Sequence, residues 1–123
     1  MSEVSKELDR LNEQVSRLYQ EGRFEQAIPL QRRVVEVVRA ELGEAHPDFA
    51  AGLNNLALLY QAMGDHAAAL PLYRQALEVR RAALGEDHPD FAAGLNNLAA
   101  LHQAMGEHAA ALPDLARDAE SRP

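Results

Sequence analysis

An all-α chain, wound as an α-solenoid of three helix–turn–helix units with six antiparallel helices, is what this sequence predicts. Three observations carry the prediction. Residues 44–72 return almost unchanged as residues 86–114, at a spacing of 42, and only five of the 29 paired positions differ: Ala45/Asp87, Leu58/Ala100, Tyr60/His102, Asp65/Glu107 and Leu72/Asp114. A fixed period of this size is the mark of stacked repeats. Within each unit the apolar residues recur at steps of three and four, the period of one helix face. Glycines close the periodic segments at Gly22, Gly43, Gly64, Gly85 and Gly106, where a helix end favours a residue without a Cβ.

Residues 3–20 read as the first helix, with Leu8, Leu11, Val15, Leu18 and Tyr19 on one face. Residues 24–42 read as the second, carrying Ala27, Ile28, Leu30, Val34, Val35, Val38 and Leu42 inward. Pro29 falls about one turn inside it, near where a missing N–H costs little. His46-Pro47-Asp48 opens the third helix: proline is preset in φ for the first helical position, and an acidic residue suits the positive end of the helix dipole. Phe49, Leu53, Leu56, Ala57 and Tyr60 make its buried stripe. The fourth helix spans about 66–83, with Ala69, Leu70, Tyr73, Ala76 and Leu77 inward. The cycle repeats as a fifth helix over 88–104, a turn at Gly106, and a sixth from His108 to about Ser121.

Shifting the first third of the chain by 42 pairs Leu11 with Leu53, Gly22 with Gly64, Ala27 with Ala69 and Pro29 with Pro71. The expected organisation is therefore one domain, 1–123, built of units at about 3–43, 46–85 and 88–121. No single unit has partner surface enough for its apolar face, and stacking supplies it. The charged first helix and the change of Leu72 to Asp114 suit terminal caps. A chain cut from a longer array would look the same, and both readings stay open.

Composition excludes several classes. No uncharged apolar run approaches the roughly 20 residues of a membrane span. The opening Met1-Ser2-Glu3, leading into Lys6-Glu7-Leu8-Asp9-Arg10, lacks the basic start and apolar stretch of a secretory leader. There is no cysteine, so disulfides, thiolate metal sites and cysteine nucleophiles are out, and a cytoplasmic location fits. A net charge of -7 argues against nucleic acid, whose phosphates call for a basic stripe. Neutral or basic partners suit it better.

The frame Leu53-Asn54-Asn55-Leu56-Ala57-Leu58-Leu59-Tyr60, then Gly64, Ala69, Tyr73 and Ala76-Leu77, resembles the tetratricopeptide repeat (TPR). The 42-residue period and the joining segment Ala83-Leu84-Gly85-Glu86-Asp87-His88-Pro89-Asp90 are similar to the kinesin-light-chain type of that repeat, which is also found in bacterial multidomain proteins. The resemblance covers nearly the whole chain. It implies a right-handed superhelix whose first helices line a concave groove, and a scaffold that binds a protein or peptide there. Carried over by position, the groove shows Asp9, Asn12, Glu13 and Ser16 from the first unit. The second unit adds Ala51, Asn54, Asn55, Leu58 and Gln61. The third adds Ala93, Asn96, Asn97, Ala100 and Gln103. Amide side chains both donate and accept, so they can pair with a peptide backbone in either sense. They can equally stitch one helix to the next, and the sequence leaves both uses open. The Lys and Arg of a carboxylate clamp are missing from these positions, and the amide-rich groove does not favour acidic ligands.

Enzyme chemistry finds no footing. The glycines are repeat punctuation and not a phosphate loop, the four serines have no neighbouring histidine, and Asp48 and Asp90 read as helix-start residues. Repeat-equivalent histidines (His46/His88, His66/His108) stand about one repeat apart, on the order of 10 Å, too far for one zinc ion. No metal and no cofactor is expected. The leading expectation is a non-enzymatic peptide-binding scaffold, with Leu58/Ala100 and Tyr60/His102 tuning side-chain pockets. The alternatives are a homo-oligomeric module that docks through its terminal helices and an adaptor segment of a larger signalling protein.

Overall fold

Four of the five helices among the described residues start where a side chain meets a free backbone donor. At the N-terminus of the first helix, Ser2 Oγ accepts from the backbone N–H of Ser5 at 3.1 Å. His46 does the same for the third with its imidazole: Nδ1 accepts from the Asp48 N–H at 2.9 Å, and His88 repeats this with Asp90 at 3.0 Å. Asp65 caps the fourth helix by accepting from the Ala68 N–H at 3.1 Å. These contacts meet backbone donors that have no partner inside the helix. At the C-terminal ends, Gly64 takes φ +81° and lets the Asp65 N–H reach back to the Tyr60 carbonyl at 2.8 Å. A residue with a Cβ is strained in that conformation.

The structure, a computed structural model, describes residues 2–110. Within them lie five helices: α1 (Glu3–Gln20), α2 (Phe24–Leu42), α3 (Pro47–Ala62), α4 (His66–Leu84) and α5 (Pro89–Ala110). The fold is an all-α repeat. Each helix packs on the next, and α3 sits between α2 and α4.

The expected break at Gly106 is not there. The fifth helix was expected to end at 104, but α5 continues through Gly106 to Ala110, and Gly106 is not among the positive-φ glycines. The first residues of the expected sixth helix, 108–110, therefore belong to α5. The rest of that expected helix, 111–121, lies outside the described residues. The physical difference from the second unit is at the capping position. Asp65 is short enough to cap α4, whereas its counterpart is Glu107, and glutamate is a poor N-cap.

The core forms at the crossings of α3 with its neighbours. Val34 and Val38 of α2, Phe49, Ala50 and Leu53 of α3, and Ala76 of α4 make one buried cluster. Ala57, Ala69, Tyr73 and Leu101 make a second, joining α3, α4 and α5. Burying a side chain of the size of Phe49 or Leu53 contributes about 1.5–3 kcal/mol. Close packing of α2 on α3 depends on Gly52: a Cβ there would lie 3.2 Å from Val35 Cγ2. By contrast α1 has no buried residue; its stripe of Leu8, Leu11, Val15 and Leu18 is half-buried, and Tyr19 is exposed.

Candidate ligand-binding groove

The site begins with two side chains exchanged between units. In register, Tyr19 corresponds to Gln61 and Gln31 to Tyr73, each pair 42 residues apart. In the second unit the tyrosine is on α4 and buried: Tyr73 is 2% exposed and its hydroxyl donates to Gln61 Oε1 at 2.7 Å. Burial, with the Tyr19 phenol adding its repulsion, pushes the Tyr73 pKa up to about 12. In the first unit the glutamine is inside. Gln31 is fully buried and turns its Nε2 to the Gly52 carbonyl at 3.1 Å. Tyr19 swings out against Phe24, ring centroids 5.3 Å apart and edge-on. The smaller inner side chain leaves space, and a cavity of about 480 Å³ opens between α1 and α3.

That cavity gathers Asn12, Val15, Ser16 and Tyr19 of α1 with Asn55, Leu58 and Leu59 of α3, over Gln31. A second hollow of about 200 Å³ shares Asn12, Gln31 and Asn55 and adds Ala51 and Asp48. Asn12 and Asn55 are both exposed. Among the described residues neither of their side chains is hydrogen-bonded. The lining is mostly apolar with amides at Asn12, Gln31 and Asn55, and one carboxylate, Asp48, stands in the second hollow; Asp9 and Glu13 are exposed on α1.

The repeat-equivalent pair behaves differently. Asn54 and Asn97 stand where Asn12 and Asn55 stand, one unit on. Asn97 Nδ2 donates to Asn54 Oδ1 at 3.1 Å, and Asn54 is 8% exposed. These two amides tie α3 to α5. At about 100° per residue, Asn54 and Asn55 leave α3 on different sides, so the expected ladder of amides divides between two junctions. Of the other expected groove residues, Gln61 is half-buried and holds the Tyr73 hydroxyl, while Ala93, Asn96, Ala100 and Gln103 are exposed on α5. Tyr60 does not tune this groove. It lies on another side of α3, where Arg32 Nη2 donates to its hydroxyl. Neither Gln31 nor the Tyr19 exchange was among the expected site residues. The signal was in the sequence, in the mismatched register of the first unit against the second.

Among the described residues no three His, Asp or Glu side chains are placed to hold a metal ion. No described helix is long and apolar enough to cross a membrane.

The family model described as tetratricopeptide repeat matches residues 16–81 and again 48–117. A crystal structure from Podosopora anserina, described as kinesin light chain nearly identical TPR-like repeats, is similar at a TM-score of 0.74 and 31% identity. The match covers 87% of this chain and 50% of that one, so this chain spans half the length of its structural relative. Comparison with curated proteins gives no significant match.

Proposed function

Since this chain belongs to the tetratricopeptide repeat family and is of the kinesin-light-chain-like type, a family of protein-interaction scaffolds, we propose that it binds an extended peptide segment in the groove between α1 and α3. The protein acts without catalysis, as a single three-unit domain, in the cytosol. One observation carries the reading. The amides of Asn12 and Asn55 face a shared cavity unbonded, while the equivalent amides of Asn54 and Asn97 are bonded to each other. Free amides on an apolar floor suit a peptide backbone with one aliphatic or aromatic side chain seated below it. The Asp48 carboxylate, in the adjoining hollow, favours a ligand with a lysine or arginine on that flank.

The test is a peptide selected on the wild-type protein and titrated calorimetrically against Asn12→Ala and Asn55→Ala. Each substitution is expected to weaken binding about fivefold to tenfold, one hydrogen bond's worth, with the melting temperature unchanged. Undiminished binding by both variants refutes the groove.

A second reading, homo-oligomerisation, is supported by Leu95. It is 46% exposed where its equivalent Leu53 is 4%, an apolar side chain that a second copy would cover. Light scattering that gives a monomer mass at every concentration refutes it.

A further inference from the structure

On a different side of α3 from the groove, Leu56, Tyr60, Ala68, Pro71 and Leu72 line, with Arg32, a separate open surface hollow of about 370 Å³. Its floor is aliphatic and its rim holds one cation. The Arg32 guanidinium lies over the Tyr60 ring, 5.8 Å from the centroid, and donates to the Tyr60 hydroxyl. Arg33, the next residue, is occupied by Glu7 at 3.0 Å. Arg32 has no carboxylate partner among the described residues.

The hydrogen-bond inventory then decides the ligand. The Tyr60 oxygen accepts from Arg32, so its own O–H proton is free for another acceptor. A guanidinium has five N–H donors and no acceptor, and most of those of Arg32 remain unused. The rim is thus rich in donors and positively charged, directly above apolar side chains. We infer that this cavity is a second docking site, for a partner segment that seats a large aliphatic side chain on Leu56 and Leu72 and offers an adjacent aspartate or glutamate to Arg32 and Tyr60. Planar carboxylates match the guanidinium fork. The net charge of -7 does not forbid this, because it is screened beyond about 8 Å at physiological ionic strength. The lining is not repeated in the sequence one period on. There His102 replaces Tyr60, and in register an aspartate, Asp114, replaces the floor residue Leu72. The selectivity is opposite to that of the groove, and the two sites can be filled together.

The experiment is selection of displayed random peptides on the wild-type protein, with counter-selection on Arg32→Gln. The expected consensus is an aliphatic residue beside Asp or Glu. A synthetic peptide of that consensus should bind the wild type. It should lose about tenfold in affinity when its acid is made an amide or when Arg32 becomes Gln, the loss of one charge-assisted hydrogen bond. Tyr60→Phe, which keeps the ring and removes the O–H donor, should lose less. Amide resonances of residues 56–72 should shift, and those of 12–19 should not. Asn55→Ala should bind this peptide normally, which separates failure of the groove from failure of this site. The proposal is overturned by no Arg32-dependent consensus, by a consensus without an acid, by shifts confined to the groove, or by Arg32-dependent self-association. Arg32 is exposed, and a melting curve confirms that its variant is folded.

Discussion

Asn97→Ala should destabilise the protein while Asn55→Ala, its repeat equivalent, should not. The difference follows from one contact. Asn97 donates to Asn54 Oδ1 at 3.1 Å, and Asn54 is 8% exposed. Truncating Asn97 leaves that oxygen poorly hydrated and without a donor, a loss of about 1–2 kcal/mol. Asn55 is exposed and unbonded, and alanine is the better helix former, so its truncation should change stability by less than about 0.5 kcal/mol in either direction. The double variant Asn54→Ala/Asn97→Ala should cost less than the sum of the singles, with a coupling of about 1 kcal/mol. Urea unfolding followed by far-UV circular dichroism measures the wild type, the three single variants and the double variant. With m on the order of 1–2 kcal/mol/M, the midpoint of Asn97→Ala should fall by about 1 M and m should not change. Equal midpoints for Asn97→Ala and Asn55→Ala, or strict additivity of Asn54 and Asn97, refute the assignment of one amide pair to structure and the other to ligand.

Three further outcomes can be measured on the same protein. Gly64→Ala should cost about 1–2 kcal/mol, because φ +81° strains any residue with a Cβ; Gly106→Ala, inside α5, should be neutral or stabilise by up to about 1 kcal/mol, and an equal loss at both would restore the expected turn. The Tyr73 phenol is held near 12 against about 10 in an unfolded chain, so its contribution is intact below pH 10 and is lost as pH rises from about 10 to 12. This amounts to roughly 2–3 kcal/mol, and the alkaline loss should shrink in Tyr73→Phe when the two are melted side by side. The exchange Tyr19→Gln/Gln31→Tyr should convert the first junction into a copy of the second, filling the space between α1 and α3 and weakening the groove peptide at least about tenfold; retained affinity in calorimetry would show that the cavity is not where the peptide sits.

Helix ends were the most legible part of the chain. Residues 3–20 and 24–42 were expected as helices and are helices, because glycine and proline act on the backbone locally and need no tertiary partner. The miss at Gly106 came from reading a near-copy as a copy. Gly64 and Gly106 sit in almost the same sequence, but a helix start depends on its cap: Asp65 caps α4 through the Ala68 N–H, and the residue in register is a glutamate, Glu107. The groove was legible only in outline. Position in the repeat marked out Asn12, Asn55, Leu58 and Ser16, which share the cavity. It could not say that Asn54 is consumed by Asn97, since a hydrogen bond between residues 43 apart depends on how closely two helices approach. Tyr60 was misplaced for a related reason. Helical period fixes the angle between side chains on one helix, but which neighbour occupies each side is settled by packing.

The two junctions of α3 share a frame and differ in what fills it. The Leu-Ala-Gly frame that stacks the units is common to both: Leu53, Ala57 and Gly52 return as Leu95, Ala99 and Gly94. At the α3–α5 junction a buried tyrosine fills the space and the amides close on each other, which contributes stability and leaves little to bind. At the α1–α3 junction the same tyrosine and glutamine stand in exchanged order. The inner side chain is then smaller, α1 keeps a half-buried stripe, and two amides are left facing a cavity. Stability given up at α1 is thus available as unsatisfied hydrogen-bonding capacity and uncovered apolar surface, the two things a peptide ligand supplies. By this argument, substitutions that tighten α1 onto α3 should trade peptide affinity for stability. Substitutions that tighten α5 onto α3 should raise stability alone.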